Sequence, residues 1–186
     1  MRIETERLWM RPIETSDVAA LHALFVLPDV RRYLWDDVVI ERDVVADVAE
    51  ASAASFMSQG YGFWWVERQG EPGLVGFGGL RDYEDPASGP RPEVLYGLDP
   101  AHWRNGYALE IAVAMLRFGF EECDFTRIDA GIDPPNARSR SVLERLGMGS
   151  WRRLEFSGLP ADYAHLTRAE FAAAAHSRAA YRLERD

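Results

Sequence analysis

Hydrophobic and polar residues alternate along this chain with two different periods, and together they predict both helices and strands. Residues 109–120 are mostly apolar, and the polar residues Glu110, Arg117 and Glu121 fall seven and four positions apart, on one side of a helix. From residue 127 to residue 133 apolar and polar residues alternate, as in a strand with one buried face. The pattern therefore predicts an α/β protein.

Further elements follow from the same patterns and from the residues that begin and end helices and turns. The predicted strands cover residues 3–11, 63–66, 74–81, 93–98, 128–132, 151–156 and, more briefly, 163–166. The predicted helices cover residues 18–27, capped by 15–17 and ended by Pro28, then 42–57, a long helix ending near 120, 136–146, and a closing helix that starts at the capping box 167–170. Residues 82–92 are polar, contain proline and glycine, and are predicted to form a loop.

The order of these elements predicts one domain over residues 1–186. Most strands come before residue 103, while a strand–helix–strand–helix–strand unit ends the pattern, which is typical of a mixed sheet. No segment has the composition of a linker, and 186 residues suffice to bury a sizeable core.

One loop has the pattern of an anion site. The sequence WRNGYA, residues 103–108, follows a predicted strand and opens the long apolar helix. The first N–H groups of a helix have no partner within it, and with the helix dipole they favour a phosphate or pyrophosphate. Gly106 and Ala108 leave these amides accessible. Every helix needs a beginning, however, and the loop alone is equally compatible with an ordinary helix start.

Composition excludes several classes of function. A net charge of −9 argues against a nucleic-acid partner, since phosphate contacts need a basic surface, whereas it is compatible with a cationic amine. All 21 basic residues are arginine, so a Walker-type phosphate loop and a Schiff-base lysine are both excluded.

Metal and membrane functions are also disfavoured by the sequence. The single cysteine, Cys123, permits no internal disulfide or multi-cysteine zinc site, and the four histidines form no ligand pair at helical spacing. No apolar stretch is long enough to span a bilayer, and residues 1–5 lack the apolar region of a signal peptide. We therefore expect a cytoplasmic protein without a metal.

Four segments, in order, resemble the GNAT superfamily of acetyl-CoA-dependent N-acetyltransferases, and within it the RimJ/RimL type. These are TERLWMRP at 5–12 with Asp17, EVLYGLDP at 93–100, the loop at 103–108, and the segment from Asn136 to Met148 that contains Ser139 and ends in VLERLGM. The resemblance covers essentially the whole chain. It implies a mixed, mostly antiparallel twisted sheet flanked by helices, with acetyl-CoA and an amine acceptor as partners, and it is compatible with a homodimer.

The resemblance also implies where acetyl-CoA binds. Its pyrophosphate is expected on backbone amides of the loop, and its pantetheine arm alongside the fourth strand, near Asn136 and Ser141. The implied residues are Arg104, Asn105, Gly106, Tyr107 and Ala108 in the loop, and Tyr96 to Leu98 in the strand. The chain departs from the group at Trp103, where Gln or Arg is common, so Arg104 or Arg138 is expected to supply charge instead. Asn136 is also a natural helix N-cap, and Ser141 is also compatible with solvated helix surface.

Two residues are candidates for the chemistry. Glu93 matches a common glutamate of the RimJ/RimL type and is a candidate base for an alkylammonium acceptor, because burial can raise the pKa of a carboxyl towards the working range. It is equally a candidate for binding the amine. Many GNAT enzymes use a tyrosine to protonate the leaving thiolate, and here Leu143 stands at that position. Ser139 is the proposed replacement, although a serine there can also cap a backbone group.

The acceptor is not identified by the sequence. Tyr33 and Trp35, with Trp64 and Trp65, are candidates for an acceptor pocket, but aromatic residues at such spacings are more often core. The resemblance leaves a protein N-terminal α-amine and a small-molecule amine both open. It also leaves open a non-catalytic acyl-CoA sensor or interaction module with the same fold, which the missing tyrosine favours.

Overall fold

The computed structural model describes residues 1–156 and 158–185. Its strands are β1 (Arg2–Thr5), β2 (Leu8–Pro12), β3 (Phe63–Arg68), β4 (Glu71–Asp85), β5 (Gly89–Leu98), β6 (Arg127–Ile132), β7 (Arg152–Phe156), β8 (Leu159–Thr167) and β9 (Tyr181–Glu184). Its α-helices are α1 (Val18–Phe25), α2 (Pro28–Leu34), α3 (Arg42–Gln59), α4 (Tyr107–Glu121), α5 (Ala137–Arg145) and α6 (Arg168–Ala173).

The described strands form one sheet in the order β7-β8-β6-β5-β4-β3-β2-β1-β9. Neighbouring strands are antiparallel except β5 and β6, which are parallel because α4 carries the chain across between them. The predicted mixed, mostly antiparallel sheet flanked by helices is thereby confirmed.

Helices cover both faces of the sheet, as the alternation along β3 shows. Trp64 is fully buried and packs edge-to-face on Phe118 of α4, with ring centroids 5.1 Å apart. Its neighbour Trp65 points to the opposite face, into a second apolar cluster with α1, α2 and α3. Trp64 is therefore part of the core, and Trp65 is half-buried against the second cluster. None of the helices in the described residues combines the length and apolarity that a membrane span requires.

The strand predicted at residues 3–11 is wrong, because the chain folds there into the hairpin of β1 and β2. Ile3 pairs with Met10, and both side chains are buried, so each strand alternates correctly but the direction reverses between them. Thr5 and the turn residue Arg7 bind a carboxylate of α4, which the local pattern does not reveal.

The predicted loop at 82–92 is also wrong, since it forms the tip of the β4–β5 hairpin with Asp82 paired to Pro92. Its polar residues are satisfied by partners distant in sequence: the Tyr83 hydroxyl donates to Asp129 at 2.6 Å, and Asp85 forms an ion pair with Arg152. Tertiary partners have here overridden a local turn signal.

Two further elements, α2 and β9, were not predicted from the sequence, whereas the last predicted capping box is present. Pro28 does not only end the first helix; it also begins α2, which was not predicted and in which the missing N–H of proline costs nothing. The terminal strand β9 was not predicted either, and it pairs with β1 at the edge of the sheet. The capping box predicted at residues 167–170 is confirmed, with Glu170 accepting from the Thr167 backbone at 2.8 Å.

Candidate active site

A cleft of about 760 Å³ opens where β5 and β6 part. The two strands share a single registered pair, Glu93 with Asp129, although β5 continues to Leu98 and β6 to Ile132. The carboxyl ends of the two strands, the start of α4, α5 and part of α2 line the cleft.

The side chain of Glu93 ends the pairing between the two strands. Gly131 lies two residues beyond Asp129 on β6 and so presents its N–H to the same side. That N–H donates to the Glu93 carboxylate at 3.1 Å, in place of a carbonyl of β5. A Cβ at Gly131 would lie 2.5 Å from Tyr163 and 2.8 Å from the carboxylate, so only glycine fits here. The carboxylate is therefore built into the base of the cleft.

The start of α4 forms one wall of the cleft. Gly106 is the N-cap with φ of 82°, and Arg104 also adopts a left-handed conformation with φ of 65°. These turns curl the loop so that the first helical amides, of Tyr107, Ala108 and Leu109, lead into the cleft without partners inside the helix. The geometry suits an anion.

Hydrogen bonds from β1 and from the turn between β1 and β2 fix the start of this helix. Arg7 donates to both the Glu110 carboxylate, at 2.8 Å, and the Asn105 carbonyl, also at 2.8 Å. Thr5 donates to the other oxygen of Glu110 at 2.7 Å. The amide of Asn105 binds back to the carbonyls of His102 and Trp103. The side chain of Asn105 is thus used to shape the loop.

The main chain of β5 faces the cleft at alternate residues. Asp99 donates its N–H to Val75 of β4, so the backbone groups of Leu98 and Tyr96 point the other way. The Trp103 indole N–H reaches the Leu98 carbonyl at 3.1 Å, in agreement with that direction. An extended ligand can therefore pair with β5 in the way a further strand would.

Glu93 is 2% exposed and has three partners. Besides Gly131, the Arg81 guanidinium donates to it at 3.0 Å, and the Tyr163 hydroxyl is hydrogen-bonded to it. Burial raises the pKa of Glu93 above its ordinary value, while the charge and hydrogen bond of Arg81 act in the opposite direction. A carboxylate has about four acceptor sites, so one remains for a ligand or water.

On the opposite wall, α5 brings a pair of hydroxyl groups together. Asn136 is the helix N-cap and accepts from the Ser139 N–H at 3.1 Å, which confirms the structural alternative considered for it. The Ser139 hydroxyl donates to the Tyr96 hydroxyl at 3.2 Å. Burial raises the pKa of Tyr96 to about 12, so its proton stays in place at neutral pH. Leu143 is 1% exposed and packs in the core.

Most residues predicted from the sequence line this one cleft. They are Tyr33, Glu93, Tyr96, Leu98, Arg104, Gly106, Tyr107, Ala108, Asn136, Ser139 and Ser141. Four candidates lie outside its lining: Asn105, Trp64, Trp65, and Trp35, whose ring packs 5.8 Å from Phe25.

Sequence reasoning missed Arg81, Gly131 and Tyr163, which surround Glu93. Arg81 lies at the end of a predicted strand, opposite Glu93 in the β4–β5 pairing, and that cross-strand position was the available signal. Within residues 1–156 and 158–185, no group of three or more His, Cys, Asp or Glu side chains is arranged to hold a metal ion.

Residues 7–149 match the acetyltransferase (GNAT) domain family, and the chain therefore belongs to the GNAT acetyltransferase family. Among curated proteins it is similar to YoaA of Bacillus subtilis (strain 168), an uncharacterised N-acetyltransferase. That similarity is 28% identity over 145 residues, covering 78% of this chain and 81% of YoaA.

Solved structures share the fold. An acetyltransferase of the GNAT family from Bacillus anthracis superposes with a TM-score of 0.73 and 25% identity over 90% of this chain and 98% of the other. RimL, a ribosomal L7/L12 α-N-protein acetyltransferase in complex with coenzyme A, superposes with a TM-score of 0.71 at 18% identity, covering 90% of this chain and 98% of RimL.

Proposed function

We propose that this protein transfers the acetyl group of acetyl-CoA to a primary amine by direct attack of the amine on the thioester. The observation that carries the proposal is the cleft between β5 and β6, which has unpartnered helix amides on one wall and a buried carboxylate at its base. Membership in the GNAT family supports acetyl-CoA as the donor.

The residues of the cleft fit acetyl-CoA. The amides of Tyr107, Ala108 and Leu109 are suited to its pyrophosphate. The backbone groups of Tyr96 and Leu98 are suited to the amides of its pantetheine arm. Acetyl-CoA supplies the thioester, and the chain supplies the groups that bind it and move protons.

Glu93 is the proposed base. An alkylammonium must lose a proton before it can attack, and the raised pKa of Glu93 brings this carboxyl closer to the range in which it accepts a proton reversibly. Its remaining acceptor site can take that proton from the amine directly or through a water. Asp29 and Asp133 also line the cleft, and their charge favours a cationic acceptor.

Ser139 is the proposed hydrogen-bond donor to the leaving thiolate, and Tyr96 is hydrogen-bonded to Ser139. Leucine stands at position 143, and the two hydroxyls are the donors near it. The Ser139 hydroxyl donates to Tyr96, and the Tyr96 hydroxyl donates to the Ser139 carbonyl at 3.4 Å, so one O–H group must turn from its present acceptor to reach the sulfur. One of them can donate to a developing negative charge on sulfur.

The buried Leu143 favours a second candidate, a non-catalytic acyl-CoA sensor or interaction module. Release of free CoA thiol distinguishes the two candidates, measured with acetyl-CoA and a panel of N-terminal peptides, polyamines, aminoglycosides and amino acids. The enzyme gives acceptor-dependent thiol release, and mass spectrometry shows an acetylated amine. Tight binding of acetyl-CoA without turnover across the panel favours the sensor.

The resemblance to the RimJ/RimL type supports an order of preference between the two classes of acceptor. RimL is described as acting on the α-amine of a ribosomal protein. We therefore propose a protein N-terminal α-amine first and a small-molecule amine second, and peptides with free and with blocked N-termini separate the two.

A further inference from the structure

Three arginines line the cleft without an acidic partner: Arg104 lies in the loop before α4, Arg138 in the first turn of α5, and Arg145 at the end of α5. Within the described part of the chain, Arg104, Arg138 and Arg145 form no ion pair, whereas Arg81, which also lines the cleft, is bound to Glu93. The chain has 30 acidic residues to 21 basic ones, so carboxylates are plentiful. Arginines left unpaired in an acidic protein and gathered along one cleft favour a ligand that carries negative charge.

Arg138 differs from the other two in being held in place. Its guanidinium carbon lies 4.3 Å from the ring centroid of Trp103, a cation–π contact. Trp103 is in turn fixed by its indole N–H on the Leu98 carbonyl. The guanidinium is thus pre-oriented on a platform that belongs to the loop before α4, so less side-chain freedom is lost when it binds a ligand.

We infer that Arg138 is a phosphate-binding residue for acetyl-CoA and that Trp103 is its positioning residue. This inference rests on the proposed function and assigns charge recognition to α5, while the loop itself contributes backbone amides. It also explains the departure at Trp103, where similar proteins often have Gln or Arg. The aromatic ring replaces a polar side chain on the loop by holding a cation that comes from the next helix.

The same helix provides a matched control. Arg140, two residues further on, also stacks on a tryptophan, with its guanidinium carbon 4.2 Å from the Trp151 ring. Arg140, however, is paired with Asp162 at 2.5 Å and does not line the cleft. If removing any stacked arginine of α5 lowers the affinity for acetyl-CoA, substitution of Arg138 and of Arg140 will both lower it. If the loss is one of phosphate binding, only substitution of Arg138 will lower it.

The test is calorimetric binding of acetyl-CoA and of S-acetylpantetheine, which lacks the phosphates, to Arg138→Gln, Arg140→Gln and the unchanged protein. Arg138→Gln is expected to weaken acetyl-CoA binding about tenfold, as for a lost charge-assisted hydrogen bond. It should leave S-acetylpantetheine binding unchanged and reduce the salt dependence of acetyl-CoA binding. Arg140→Gln should bind both ligands as the unchanged protein does.

Trp103 is tested with Trp103→Leu and Trp103→Phe, in each case with a thermal melt as a check of folding. Leucine removes the stacking ring, so Trp103→Leu should lower the affinity for acetyl-CoA, but should lower it little further when Arg138→Gln is already present. Phenylalanine keeps a ring, so Trp103→Phe should retain most of the affinity. Additive effects of Trp103→Leu and Arg138→Gln would remove the positioning role.

An unchanged acetyl-CoA affinity in Arg138→Gln would overturn the inference, as would an equal loss for S-acetylpantetheine or in Arg140→Gln. In each of these cases the proposed function stands, because the unchanged protein still binds acetyl-CoA. If the unchanged protein does not bind acetyl-CoA at all, the proposed function and this inference fail together.

Discussion

The base of the cleft and its α4 wall differ in whether their charged and polar groups have partners. At the base, Glu93 is buried and bound by Arg81, Gly131 and Tyr163. At the α4 wall the first helix amides are unpartnered. The guanidinium of Arg138, which comes from α5 and stacks on Trp103 of the loop before α4, is exposed there and has no acidic partner among the described residues.

This difference indicates that one end of the cleft binds the charged part of a ligand and the other end transfers a proton. Donors without a partner in the protein form charge-assisted hydrogen bonds when an anion binds, so the α4 wall is suited to binding. A buried carboxylate with a limited set of partners has a shifted pKa and a fixed position, which suits proton transfer. Substitutions at the two ends should therefore separate affinity from rate.

The largest effect is expected at the α4 wall. Gly106→Glu should reduce acetyl-CoA affinity by at least about 100-fold, because a negative side chain would stand at the anion-binding amides and at a left-handed φ of 82°. Calorimetry measures it. Gly70→Glu is the control, since Gly70 has φ of 76° in a hairpin turn with open space around it. Equal affinities in the two variants would dissociate the loop from acetyl-CoA binding.

The next largest effect is expected at the base. Glu93→Gln removes the proposed base but keeps the shape of the side chain, so kcat should fall by roughly 10²–10⁴-fold while acetyl-CoA affinity is retained. Steady-state kinetics with the best acceptor, together with calorimetry, provide the measurement. A change confined to KM for the amine, with kcat and its pH dependence intact, would instead make Glu93 an acceptor-binding residue.

A smaller effect, in pH dependence, is expected at Arg81. Its charge and hydrogen bond lower the pKa of Glu93 against the effect of burial, so Arg81→Gln should raise that pKa further. The base works only when deprotonated, and the acidic limb of the pH–rate profile should therefore move to higher pH. On that limb kcat falls roughly tenfold for each pH unit of movement. Arg91→Gln, on the neighbouring part of β5, is the control, and an unmoved limb in Arg81→Gln would argue against Glu93 as the titrating group.

The smallest effect is expected at Ser139. Ser139→Ala should lower kcat by only about 2- to 10-fold, because the Tyr96 hydroxyl beside it or a water can replace the lost donor. The double variant Ser139→Ala, Tyr96→Phe should lose more than the product of the two single effects. If the two effects simply multiply, the hydroxyl pair does not act as a unit.

Much of the fold could be predicted because it depends on local periodicity. The pattern in residues 109–120 predicted α4, and the alternation around Ile128 predicted β6, in agreement with the structure. The hairpin of β1 and β2 was missed because its turn residues, Glu6 and Arg7, include no glycine, proline, asparagine or aspartate to mark a reversal of the chain. The tip of β4 and β5 was missed because its polar residues have partners on β6 and β7.

The candidate site divides in the same way. The anion-binding loop was visible in the sequence, because a strand, a short loop with glycine and an apolar helix are contiguous, and their geometry is local. The surroundings of Glu93 were not visible, since Tyr163 is on β8 and Gly131 on β6, and only the order of strands in the sheet brings them to β5.

The sequence by itself determined the α/β class, the start of α4 and the residue types that line the cleft, because each depends on neighbours within a few positions. Only the tertiary structure decided that Glu93 ends the pairing of β5 with β6, that Tyr96 meets Ser139, and that Arg138 lies on Trp103. Each of these contacts joins residues more than 30 positions apart. Their distances are set by how the strands and helices pack, which local propensity does not encode.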